Sequence, residues 1–179
     1  MNPIQMFLAS EDRVTTAGAE ESTRFLLDNP EAFPMLIDLL DSGPPSQQAK
    51  AARVLEMVTK KEPAFIQGRF NWLHSKLRNS PTWEVRHQAC RVITRIDDLD
   101  SQIPGLSDTL FYLQDDVSKI VRTSAMQALA DLSLRYEELM DRVYPLVLKQ
   151  TEQGSAAQRA RGRKLLKSMD RAIAKSKAK

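Results

Sequence analysis

Four short stretches of this chain repeat one apolar pattern at a nearly constant interval. Each is anchored on a small residue, Ala51, Ala89, Ala125 and Gly162, and these lie 38, 36 and 37 positions apart. From each anchor, apolar side chains follow at +3, +4 and +7: Val54, Leu55 and Val58; Val92, Ile93 and Ile96; Ala128, Leu129 and Leu132; Leu165, Leu166 and Met169. That spacing lays one stripe along an α-helix. A helix with one apolar stripe must bury it against something, and the interval leaves room for a partner helix and two turns in every unit.

The partner helices are predicted upstream of each anchor, over residues 32–40 (Phe33, Leu36, Ile37, Leu40), 65–77 (Phe65, Ile66, Phe70, Leu73, Leu77), 103–113 (Leu106, Leu110, Leu113) and 139–148 (Leu139, Val143, Leu146, Val147). Turn chemistry separates partner from anchor helix at Asp41-Ser42-Gly43-Pro44-Pro45, Asn79-Ser80-Pro81, Asp115-Asp116 and Gln153-Gly154-Ser155. Ser80 before Pro81 predicts an N-cap followed by proline at the first helical position. Ser155 with Gln158 predicts a capping box. Residues 3–27, with Met6, Phe7 and Leu8 and then a weaker helix from Glu11, read as an atypical first hairpin. A hairpin cannot bury two apolar faces alone, so the prediction is a stack. It is an all-α superhelix of four to five hairpins, about ten helices in one domain over residues 1–175, with a basic disordered tail at 176–179.

Composition agrees with a packed chain. Hydrophobic residues at 42% and charged residues at 27% exclude a disordered polymer. The single cysteine, Cys90, cannot form an internal disulfide, and the N-terminus lacks a basic signal-peptide start. No apolar run approaches the ~20 residues that span a bilayer. The chain is therefore expected to be soluble and cytoplasmic. The net charge of +3 conceals an asymmetry. Residues 1–153 hold 17 Lys/Arg and 22 Asp/Glu, a formal −5; residues 154–179 hold 9 and 1, a formal +8.

Two of the anchor helices open with related strings, Val85-Arg86-His87-Gln88-Ala89 and Val121-Arg122-Thr123-Ser124-Ala125. Both read V-R-x-x-A, and over residues 30–175 the chain resembles the HEAT-repeat proteins of the armadillo-type α-α superhelix class. The resemblance implies that Arg86, Arg122 and Arg159 are structural struts, with Asp116 pairing as the ladder acid of its turn. Ser80 and Gln153 stand where the other two acids belong, and Gln48 stands in the arginine position of the Ala51 hairpin. It also implies that the anchor helices line a concave surface, where Arg53, Arg91, Arg95, Gln127, Arg161 and Lys164 form a mostly basic stripe. A solvated helix face is the plainer account of such a stripe.

Trp72 and Trp83, with His87, are candidates for an aromatic docking spot; packing at a hairpin junction is the alternative, because tryptophan is usually mostly buried. His87 and Cys90 lie three apart, but two ligands do not make a metal site. The loop acids Asp97, Asp98 and Asp100 lack the glycine and terminal glutamate of a calcium loop. No nucleophile has a base in motif context and no glycine-rich phosphate loop exists. The expectation is a protein with no catalytic residue, metal or cofactor. It would bind a protein or peptide through the concave face.

Nucleic-acid binding through the basic C-terminal hairpin and tail is the second expectation. Trp83-Glu84-Val85-Arg86 is loosely similar to the W-x-R-R-type helix starts of helical-repeat alkylation-repair glycosylases, with Val85 in place of one arginine. No Asp stands beside aromatic residues as excision of a flipped base requires.

Overall fold

The computed structural model describes Ile4, Met6, Leu8 and residues 18–177. Nine α-helices and no strand occur among the described residues. None of these helices is long and apolar enough to cross a membrane. The chain divides into two compact units, Met1–Leu99 and Asp100–Lys179.

In the first unit, α1 (Ala19–Asp28) leads through a 3₁₀ turn to α2 (Phe33–Ser42), and α3 (Pro45–Lys61) follows directly. A second 3₁₀ turn (Pro63–Ile66) precedes α4 (Phe70–Asn79) and α5 (Trp83–Ile93). Helix α3 is the hub: α1, α2 and α5 all pack on it, and α4 packs on α5. Pro45 opens α3, where its missing N–H has no intrahelical partner to lose. Lys60 and Lys61 sit in its last turn, favourable at the negative end of the helix dipole.

The second unit runs through α6 (Ile103–Tyr112), α7 (Lys119–Ser133), α8 (Met140–Gln153) and α9 (Ala156–Ser176). Helix α7 packs against α6, α8 and α9, and α8 packs along α9. The capping box is present as predicted: Ser155 Oγ accepts from the Gln158 N–H, and Gln158 Oε1 accepts from the Ser155 N–H.

The repeated stripe is buried, together with apolar residues of the partner helices such as Leu36, Leu73, Leu106 and Val143. The three anchor alanines, Gly162 and every +3, +4 and +7 residue are buried, except Leu166, which is half-buried. Anchors must be small where helices touch. A Cβ on Gly162 would lie 3.1 Å from Thr151 Cβ and closer still to its Oγ1.

The helices of the first unit depart from expectation in three places. The single helix predicted over 65–77 is two pieces, because Gly68 adopts φ 71° between the 3₁₀ turn and α4. That left-handed conformation suits glycine, and it ends one helix before the next begins. Thr82, not Ser80, is the N-cap residue of α5, so Pro81 lies outside the helix. Ser80 instead forms a local turn, its Oγ accepting from the Thr82 N–H at 3.3 Å. Helix α5 also stops at Ile93, so Ile96 completes its buried stripe from the following turn.

Of the predicted first hairpin, α1 covers the later part; Phe7 and residues 9–17 lie outside the described residues. Helix α9 extends to Ser176, where the tail was expected to start, and Ala178 and Lys179 lie outside the described residues.

Candidate functional site: the arginine–glutamate face of α3 and α5

Helix α5 lies on α3, and their shared polar edge brings several charged residues together. Glu56 follows Leu55 in α3 and is 4% exposed. A buried carboxylate is costly unless it is paired and hydrogen-bonded. Arg95, just past the end of α5, supplies most of what it needs. Its Nη2 sits 2.6 Å from Glu56 Oε1, while its Nη1 donates to the Glu56 carbonyl and to Thr59 Oγ1, both at 2.7 Å. Arg91 Nη2 reaches the same carboxylate oxygen at 3.0 Å.

Gln67 locks the turn that carries Arg95. Its Nε2 donates to the Arg95 carbonyl at 2.9 Å and its Oε1 accepts from the Asp97 N–H at 3.0 Å. The Arg95 side chain is 19% exposed and Arg91 38%, so Arg95 is a strut and Arg91 a rim residue. Arg53, one turn before Glu56 on α3, is exposed.

His87, one turn before Arg91, shares this environment. Its pKa is pushed down to about 4, chiefly by burial, then by the positive charges of Arg91 and Arg53, with Glu56 opposing. It is therefore a neutral imidazole at pH 7. The Trp83 ring lies 6.4 Å from it, centroid to centroid, and Trp83 is 36% exposed. Trp72 is held elsewhere: its Nε1 donates to Asp41 Oδ1 at 2.9 Å, on an oxygen that Lys76 Nζ also reaches at 2.7 Å. The two tryptophans thus have separate partners, Asp41 for Trp72 and the His87 ring for Trp83.

The other half of the predicted stripe lies in the second unit. Arg161 Nη1 donates to Gln127 Oε1 at 3.2 Å, and Gln127 Nε2 donates to Asp131 Oδ1 at 2.8 Å. Burial raises the Asp131 pKa, opposed by the Gln127 hydrogen bond and by Arg161. Lys164, three residues beyond Arg161, is exposed.

Two of the three arginines expected to be struts bond the turn that precedes their own helix. Arg86 Nη1 donates to the Ser80 carbonyl and Arg159 Nη1 to the Gly154 carbonyl, both at 2.7 Å, so each ties its helix to the preceding turn. Asp116 Oδ1 accepts from the Ser118 N–H at 2.8 Å at the start of α7, and Arg122 is half-buried one turn into that helix.

Sequence reasoning missed Glu56, Asp131 and Thr59. The one signal was spacing: Glu56 and Arg95 are 39 apart, close to one repeat, so stacked units bring them together. It also missed a cleft of about 650 Å³ lined by Leu27, Pro30, Phe33, Pro34, Phe65 and Arg69. There the Arg69 guanidinium stands over the Phe33 ring at 5.4 Å. Among the described residues no three His, Cys, Asp or Glu side chains converge as metal ligands would.

Comparison with family models, curated proteins and solved structures returns no match for this chain.

Proposed function

We propose that this protein is a non-catalytic binding module of HEAT-like construction, whose α3–α5 face receives an acidic segment of a protein partner. The repeat-wise packing supports the construction. Within the first unit the anchor helices α3 and α5 pack on each other, and within the second unit α7 and α9 do the same. That is how hairpins of a HEAT-type stack bury their common face.

One observation carries the choice of partner. Three arginines, Arg53, Arg91 and Arg95, converge on a face whose buried acid is the single carboxylate of Glu56. Arg95 satisfies Glu56 from within and Arg91 touches the same oxygen from the rim, so two guanidinium groups share one carboxylate and, with the exposed Arg53, leave the face net positive. A partner carboxylate engages guanidinium groups with paired hydrogen bonds. The half-exposed Trp83 ring beside neutral His87 adds an amphipathic edge of the kind that anchors interfaces.

The test is affinity capture from native extract with the wild type and with an Arg53→Glu, Trp83→Ala variant whose circular dichroism matches the wild type. The reading expects proteins bound by the wild type and lost by the variant, and those proteins should carry acidic segments that bind as isolated peptides. A recovered set unchanged by the double substitution rules the reading out.

A further inference from the structure

We infer that the outer face of α9 is a docking surface for the phosphate backbone of duplex nucleic acid. Helix α9 carries seven Lys/Arg and one acid, Asp170. That acid is engaged, accepting from the Tyr144 hydroxyl at 2.8 Å. Lys164, Lys167, Arg171 and Lys175 are exposed and follow one another at intervals of 3, 4 and 4 residues. They therefore lie on one helix face, spaced about 4.5–6 Å apart along the axis. The row runs for three turns and ends near Ser176, beside a depression that Glu137, Ile173, Ser176 and Lys177 help to line.

Charge alone does not choose among polyanions, but the rest of the helix does. An interfacial membrane helix turns its apolar face into the bilayer. Most of the apolar stripe of α9 is spent inside its own unit: Met169 is fully buried, Leu165 is 7% exposed, and Leu166 and Ile173 are half-buried. Single strands are gripped by aromatic side chains that stack on bases, and α9 has no Phe, Tyr or Trp. A straight row of long cationic side chains with neither feature matches the regular, dense charge of a duplex, one phosphate per ~1.7 Å of axis. Such contacts position without reading bases, so the binding is independent of sequence. The inference does not rest on the acidic-segment reading, and its substitutions leave Arg53 and Trp83 unchanged.

The test is fluorescence anisotropy of a short labelled mixed-sequence DNA duplex, titrated with the full chain over a range of salt. Four phosphate contacts give a slope of log K against log salt of about −3.6, roughly a hundredfold loss between about 50 and about 200 mM. A Lys164→Gln, Lys167→Gln, Arg171→Gln, Lys175→Gln variant should lose that binding. The charge-preserving variant Lys164→Arg, Lys167→Arg, Lys175→Arg should keep it, which separates lost charge from lost fold. An Arg24→Gln, Lys60→Gln, Lys61→Gln, Arg78→Gln variant removes four other exposed cations and should bind as the wild type does. Parallel titrations use phosphatidylcholine vesicles with and without phosphatidylserine, and poly-glutamate. Absence of duplex binding at the lowest salt, equal loss in both glutamine variants, or binding of vesicles or poly-glutamate as tight as that of duplex would each overturn the inference.

Discussion

Arg95 and Glu56 join the end of α5 to α3 through both side chain and main chain: the guanidinium holds the carboxylate at 2.6 Å and the same residue's carbonyl oxygen at 2.7 Å. One arginine thus satisfies a buried charge and ties down the helix that carries it. Removing Arg95 leaves the buried carboxylate with its rim contact to Arg91 and takes away the donor to the Glu56 carbonyl and Thr59. Arg95→Ala should destabilise the protein by about 2–4 kcal/mol. Arg91→Ala, at the rim, should cost less than about 1 kcal/mol. Urea unfolding of the two variants checks the ranking; equal costs would mean that Arg91 and Arg95 share Glu56 equally.

His87 gives the fold an acid-sensitive element with a definite sign. Its native pKa of about 4 lies below the ordinary value of 6.5. Above pH 6.5 both folded and unfolded chains hold the imidazole neutral and it contributes no pH dependence. Between about 6.5 and about 4 the unfolded chain takes up a proton that the folded chain does not, so stability falls as pH falls. The slope from this residue is up to a little over 1 kcal/mol per pH unit. His87→Gln should flatten urea midpoints across that window. An unchanged acid slope in the variant would assign the sensitivity to other groups.

Thr151 and Gly162 make a test of helix packing that runs against helix propensity. Propensity alone makes Gly162→Ala stabilising by about 1 kcal/mol. The added Cβ would press on Thr151, whose Oγ1 is fixed by donating to the Val147 carbonyl at 2.7 Å. Net destabilisation of about 1–2 kcal/mol is expected. Thr151→Ala in the same background should recover much of it, because neighbouring sites are not additive. Thermal melts of the two single variants and the double variant close the cycle.

These residues also mark how far the sequence could be read. The anchor helices were legible because Val54, Leu55, Val58 and their counterparts repeat at a spacing that only a helix face explains, and all but one of those side chains is buried. The partner helices were less so. Phe65 and Phe70 belong to separate elements, and the pattern across them is apolar on both sides of the Gly68 break, so periodicity did not register it. At the start of α5 the Ser80 hydroxyl accepts from the Thr82 N–H, and Thr82 holds the N-cap position while its Oγ1 donates to Gln48 Oε1 across 34 residues instead of capping the helix, a long-range contact that local spacing does not contain.

The candidate face was half legible. Arg53, Arg91 and Arg95 were predicted together as a stripe, but Glu56 looked like any polar residue beside an apolar one. Its burial comes only when α5 closes over α3, a non-local event that no window on the sequence contains.

The division of the chain at Leu99 also sorts its chromophores. Both tryptophans, Trp72 and Trp83, precede that point, and all three tyrosines, Tyr112, Tyr136 and Tyr144, follow it. Indole emission, excited beyond the phenol band, therefore arises only within residues 1–99, and phenol absorbance, once the overlapping indole contribution is subtracted, only within residues 100–179. The molecule carries its own two-colour label, and a denaturation curve recorded in both bands reads out directly whether its halves melt as one cooperative body or in succession.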